Sequence, residues 1–261
     1  MSTQNSPSRL FVFLLISFFA IAGCQPTTTP TETSSTDVPL ATSPVKDTNS
    51  PITISKNIFL DPALAQDKDS LMIAQYIYEG LVVLDAAGKP QPGIAESWVI
   101  SDDQLDYIFT LRSGATFSDG SRITPDIVVD NFNRWFDPNN PLHKNGDFAA
   151  WKNTFLGFLG EKDDNKRAKS TVDGIQKVDS NTVLLHLTRP TPETLTNLAK
   201  PAFAILSTKA LASGNYGKNG STIISSGAYT VSSWKDTSLV LSPNSKYWGK
   251  IPSKDLNFVL Q

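Results

Sequence analysis

Residues able to do covalent or metal chemistry are few in this 261-residue chain: one cysteine, Cys24, and two histidines, His143 and His186. His186 falls inside the run VLLHLT, where a hydrogen-bonded structural imidazole is the plain expectation. The acids of SDDQLD (Asp102, Asp103 and Asp106) cluster as calcium ligands would, but Tyr107 stands where such a loop needs glycine, so they read as a solvated turn. Asp163 and Asp164, with Lys162 and Lys166 beside them, read as an exposed loop. The sequence holds no GxSxG, HExxH, CxxC, Walker phosphate loop or GxGxxG. Nothing assembles a nucleophile with a base, so no catalysis, no metal site and no cofactor is expected.

Cys24 has a different context. It follows Leu10–Gly23, LFVFLLISFFAIAG, a run without charge preceded by a short polar start carrying Arg9. A helix needs ~20 apolar residues to cross a bilayer core, so this run suits the apolar region of a signal peptide better than a permanent span. Ile21, Ala22 and Gly23 before the cysteine resemble the lipobox of bacterial lipoproteins, with isoleucine where leucine is most frequent. That resemblance implies cleavage before Cys24 and acylation of its thiol and new amino end. Several acyl chains exceed the two signals that stable anchoring requires, so residues 1–23 are expected to be removed and Cys24 to hold the protein on a membrane.

From Gln25 to Pro51, 17 of 27 residues are Thr, Ser or Pro. Such a stretch buries too little apolar surface to offset the entropy of ordering, so residues 24–51 read as a flexible tether. The folded body is expected over 52–261. Overall, 23 basic residues face 25 acidic ones, for a formal charge of -2 with no basic block, so a nucleic-acid partner finds no support.

The elements that follow alternate between strands and helices. Leu71, Ala74, Tyr78 and Leu81 recur at helical spacing over 70–81, with Gly80 near the end, and a strand follows over 81–84. Tyr107, Phe109 and Leu111 alternate with Ile108, Thr110 and Arg112, which reads as a strand with one markedly apolar face, and Asp119-Gly120 marks a turn. Thr124, Pro125 and Asp126 combine a hydroxyl cap, a proline at the first helical position and an acid in the first turn, so a helix should run on through Trp135. Further strands are expected at 183–187, 229–234, 239–241 and 256–260. The class is α/β. Trp98, Phe117, Trp234, Tyr247 and Trp248 offer large apolar areas for its core.

Four stretches also resemble, in order and spacing, the peptide- and nickel-binding family 5 of extracellular solute-binding proteins that serve ABC importers. They are YEGLVVLDAAGKPQPGIAESW at 78–98, YIFTLRSGATFSDGSRITPDIV at 107–128, SSGAYTVSSW at 225–234 and NSKYWG at 244–249. Pro125, Ile127 and Ala228 depart from the family's usual residues. The resemblance implies the first lobe of a two-lobed periplasmic-binding-protein fold (type II, large peptide-binding class). Because LNFVLQ at the end resembles the strand where such chains pass into the second lobe, it also implies truncation before that lobe. Closure requires contacts from both lobes, so the chain alone should bind weakly.

The role implied is a lipid-anchored component binding peptides or other small organic solutes for import, with ABC permease subunits as partners and the cell envelope as location. For ligand contacts the resemblance points to Trp151, matching an aromatic of nickel-binding relatives, and to Phe148 before it. Ala202 and Ala65 stand where those relatives have arginine and tyrosine. Without that arginine a carboxylate-rich metal chelate loses its cation partner, which favours peptides over nickel chelates. Two other readings stay open: a non-transporting lipoprotein that acts as an interaction or signalling module, and, with far less support, a hydrolase.

Overall fold

The computed structural model describes residues 51–143 and 146–261, all within the unit Pro39–Gln261. Cys24, the signal-peptide run and all of the tether but Pro51 lie outside the described residues. With strands numbered along the chain, β1 (Ile52–Ile54) pairs in parallel with β10 (Leu256–Leu260), Ile52 opposite Phe258. Antiparallel β9 (Ser238–Pro243) and β8 (Tyr229–Lys235) complete a four-stranded sheet in the order β1-β10-β9-β8. A second sheet is antiparallel throughout. It comprises β4 (Ala95–Ile100), β5 (Asp106–Leu111), β7 (Thr182–Leu187) and β6 (Val172–Lys177), in the order β4-β5-β7-β6. A short hairpin of β2 (Val82–Leu84) and β3 (Pro90–Pro92) precedes it.

The alternation at 107–111 holds. Tyr107, Phe109 and Leu111 are buried, Ile108 is 38% exposed, and Val183 and Leu185 of β7 lie on the same covered face. Helix α2 (Pro125–Phe136) packs on that sheet through β6 and β7, and Thr124 accepts a hydrogen bond from the Ile127 amide as a cap should. Gly120 has φ 85° in the expected Asp119-Gly120 turn.

The first helix differs from the spacing-based expectation. Helix α1 runs Lys68–Ile77 because Asp67 caps it, its carboxylate accepting from the Ser70 amide at 2.8 Å. It ends before Gly80 because the Ile77 carbonyl is taken by the amides of Ser226 and Gly227, at 3.1 and 3.0 Å, and Tyr78 turns extended. The chain at Gly227 lies so close that a Cβ there would sit 2.8 Å from the Tyr76 carbonyl oxygen and 2.9 Å from the Tyr78 nitrogen. Both neighbours are backbone and cannot swing aside. Gly227→Ala is therefore expected to lower the unfolding free energy by about 1–3 kcal/mol, measured by urea titration; an unchanged midpoint would mean that α1 and β8 are not held at this separation.

Helices α3 (Ala149–Phe155), α4 (Thr194–Leu198) and α5 (Thr208–Leu211), with a 3-10 turn at Pro201–Phe203, complete the body. Phe117 and Tyr247 are buried as expected, while Trp98, Trp234 and Trp248 are half-buried against the core. Among the described residues no helix is long and apolar enough to cross a membrane.

Candidate functional site

The four residues to which the resemblance assigns solute contacts are Ala65, Phe148, Trp151 and Ala202. Helix α3 carries Trp151 into a cluster of rings from α2 and the Pro201–Phe203 turn. Its indole lies 4.4 Å from Phe155, 5.7 Å from Phe136, 5.8 Å from Phe203 and 6.0 Å from Trp135, centroid to centroid. The indole N–H donates to the Gly157 carbonyl at 3.1 Å. Phe148 caps α3 in the left-handed region, stacks on His143 at 4.6 Å and faces the Arg134 guanidinium at 5.1 Å. Ala202 precedes Phe203 in its turn, and the Ala65 amide closes a turn on the Asp61 carbonyl at 2.8 Å. All four are enclosed: Ala65 is 7% exposed, Phe148 0%, Trp151 1% and Ala202 6%. In this form of the chain their side chains fill the core.

A polar seam adjoins those rings. Arg134, on the same helix as Phe132, Trp135 and Phe136, is fully buried and forms an ion pair with buried Asp61 through Nη2. Asp61 Oδ1 and the Nε and Nη1 of Arg134 have no hydrogen-bond partner. Burial lifts the Asp61 carboxyl above its usual range against the pull of Arg134. Close by, Tyr78 donates its hydroxyl to the Leu60 carbonyl at 2.9 Å and so accepts from Tyr216 at 2.7 Å. On α2, Asn131 binds the 206 backbone both ways, donating to the Leu206 carbonyl at 2.8 Å and accepting from its amide at 3.1 Å.

A second buried carboxylate lies between α1 and β2. Glu79 accepts from the Tyr247 hydroxyl at 2.6 Å, while its amide donates to Ser226 Oγ at 3.0 Å. Arg112, after β5, lies 4.2 Å over the Trp248 ring and donates through Nε to the Gly93 carbonyl at 2.8 Å. Burial pushes the Glu79 carboxyl from 4.5 up to about 7, with the Tyr247 hydrogen bond and the Arg112 charge opposing. Only weak sequence signals mark these groups: an arginine inside an aromatic helix face, and a glutamate in a largely apolar run.

His186 is a hydrogen-bonded strand residue as expected, but Asp106 is not part of the solvated turn with Asp102 and Asp103: it opens β5, where cross-strand pairing sets it opposite His186. His186 Nδ1 lies 2.5 Å from Asp106 on a half-exposed strand face, and His143 Nδ1 lies 2.9 Å from the Arg134 carbonyl. Asp103 accepts from Ser101 Oγ and the Leu105 amide in the solvated turn, and Asp163 from Arg167 in the exposed loop. Among the described residues neither histidine's hydrogen bond goes to a hydroxyl or thiol, and no group of three or more His, Cys, Asp or Glu is placed to hold a metal ion.

Residues 89–257 match the family model described as bacterial extracellular solute-binding proteins, family 5 Middle. A glutathione-binding protein, GsiB, of Salmonella paratyphi A is 34% identical over 72% of this chain and 33% of its own length. The periplasmic oligopeptide-binding protein OppA of Escherichia coli is 28% identical over 72% of this chain and 34% of its own. Among solved structures, HbpA2 from Haemophilus parasuis superposes with a TM-score of 0.69 at 26% identity, covering 80% of this chain and 42% of that one. OppA of Listeria monocytogenes bound to peptide gives 0.64 at 25% identity, covering 81% and 42%. The chain thus spans about a third of the curated relatives it matches.

Proposed function

Since this chain belongs to family 5 of the bacterial extracellular solute-binding proteins, we propose that it is the solute-capturing component of an ABC importer and takes peptides or peptide-like small solutes. The match across 89–257 carries this reading, and the names of the similar proteins, glutathione-binding and oligopeptide-binding, support the ligand class. Peptide recognition in such a role rests on backbone hydrogen bonds supplemented by pockets, which tolerates varied side chains. The solute is proposed to meet the chain at Ala65, Phe148, Trp151 and Ala202. Those side chains are the packed support of that surface in the form described, and a solute reaching them displaces what covers them. Alanine at 202 leaves no cation there for a carboxylate-rich metal chelate, which favours peptide over nickel. No step of this role is covalent, so the protein acts by binding alone.

Cys24 is proposed as the lipid attachment point, with residues 24–51 as the tether that holds the body at the outer face of the cytoplasmic membrane or in the periplasm. Cells lacking the gene should lose uptake of labelled tripeptides, and restoring it should recover that uptake. Cys24→Ser should abolish incorporation of labelled fatty acid and shift the protein from the membrane pellet to the soluble fraction. Unaltered peptide uptake in the deletion strain would sink the import role; an unlabelled wild-type chain would sink the anchor alone.

A further inference from the structure

Helix α3 ends at Leu156, which has φ 69° and ψ 0°. Helices usually stop in that left-handed conformation on glycine or asparagine, because a larger side chain crowds the neighbouring carbonyl. Leucine is an unfavourable choice, and its side chain gains no burial in exchange: Leu156 is 55% exposed, and Leu159 three residues on is 45% exposed. Local strain of this kind often accompanies function.

Leu156 forms part of the wall of a hollow of about 690 Å³ that is otherwise lined by Asp163, Arg167, Ala168, Lys169, Thr188 and Arg189. Asp163 and Arg167 neutralise each other, their side chains meeting at 2.8 Å. The other two charges are positive. Arg189 is held by the carbonyls of Lys169 at 2.7 Å, Ala168 at 3.2 Å and Ser170 at 3.4 Å, and by Thr188 Oγ1 at 3.2 Å. None of those partners carries a charge, so the guanidinium is fixed in place while its charge stays uncompensated. Lys169 adds a second positive charge on the same wall, but the Glu161 carboxylate lies beside it: a Cβ on Gly157 would lie 2.9 Å from both Glu161 Oε2 and the Lys169 Cβ, so the excess rests chiefly on Arg189. The chain as a whole is slightly acidic, so this local excess is not a consequence of composition.

We propose that this hollow is a docking surface for an acidic partner segment that also carries a bulky apolar side chain. The acidic groups face Lys169 and the prepositioned Arg189, and the apolar side chain packs on Leu156. A preset cation spares the ordering that a free side chain would need on binding, and the volume accommodates a short extended segment. The hollow adjoins the Trp151 cluster, since Leu156 lies between Phe155 and Gly157, but none of Ala65, Phe148, Trp151 and Ala202 lines it.

The probe is the fluorescein-labelled peptide Gly-Asp-Leu-Asp-Leu-Gly, titrated by fluorescence anisotropy with the full chain. Saturable binding is expected at low ionic strength, weakened about fivefold or more when salt is raised severalfold. Its Asn-for-Asp counterpart should not bind. Leu156→Gly relieves the backbone strain, so the variant should resist urea at least as well as wild type and yet bind about fivefold more weakly. Lys169→Glu should weaken binding by at least as much. Absence of saturation up to roughly 1 mM peptide, or binding that neither substitution alters, would overturn the proposal; the second result would locate the peptide elsewhere on the chain.

Discussion

Replacing Arg134 with alanine should destabilise the protein by about 3–5 kcal/mol, because it strands the Asp61 carboxylate in the core without a counter-charge. The guanidinium is fully buried on α2, and its ion pair ties that helix to the segment that also supplies Ala65. Domains of this size have total stabilities of about 5–15 kcal/mol, so the variant should populate unfolded chain at room temperature or unfold at much lower urea. Removing both charges is a different experiment. Three polar atoms of the pair lack hydrogen-bond partners, so the double replacement Arg134→Met with Asp61→Leu should recover most of the loss or exceed wild type. Equal damage from the single and double replacements would show that packing, and not the stranded charge, governs this seam.

Glu79 should make stability fall as pH rises. Its folded pKa, about 7, lies above the unfolded value near 4.5, so the native state holds a proton that the unfolded chain has released between those limits. Its contribution is intact below pH 4.5, declines through that window and is lost above pH 7, to a limit of about 3 kcal/mol. Other carboxylates titrate in the same range, so the informative quantity is the difference from Glu79→Gln, which preserves the acceptor for the Tyr247 hydroxyl without a charge. Urea unfolding at pH 4.5, 6 and 8 should show the variant matching wild type at the lowest pH and exceeding it at the highest. Parallel curves would mean that Glu79 titrates normally and is not sealed in the interior.

Legibility in the sequence followed burial pattern. β5 and β7 are central strands with one covered face, so their alternation was plain, and α2 announced itself through Thr124-Pro125-Asp126. β4 and β6 lie at the two edges of the same sheet, are exposed over much of their length and therefore show no period to read. The end of α1 was misplaced because Ser226 and Gly227, distant in sequence, claim the Ile77 carbonyl. The same limit applies to the site. Motif resemblance brought Ala65, Phe148, Trp151 and Ala202 to notice, but only the folded chain reveals how completely each is enclosed. The pairs Asp61 with Arg134 and Glu79 with Tyr247 join residues far apart along the chain, and no local pattern encodes such partnerships.

Solute capture is tested most directly by isothermal calorimetry. Glutathione and a mixed tripeptide pool are titrated into the native gene product, carried through any sequence that follows Gln261, with the 261-residue chain in parallel. Because clamp closure draws on contacts from two lobes, saturable heat with a micromolar or tighter Kd is expected for the longer product, and binding at least about tenfold weaker for the chain alone. A folded product that evolves no heat with either glutathione or the peptides would contradict solute capture as the role of this protein.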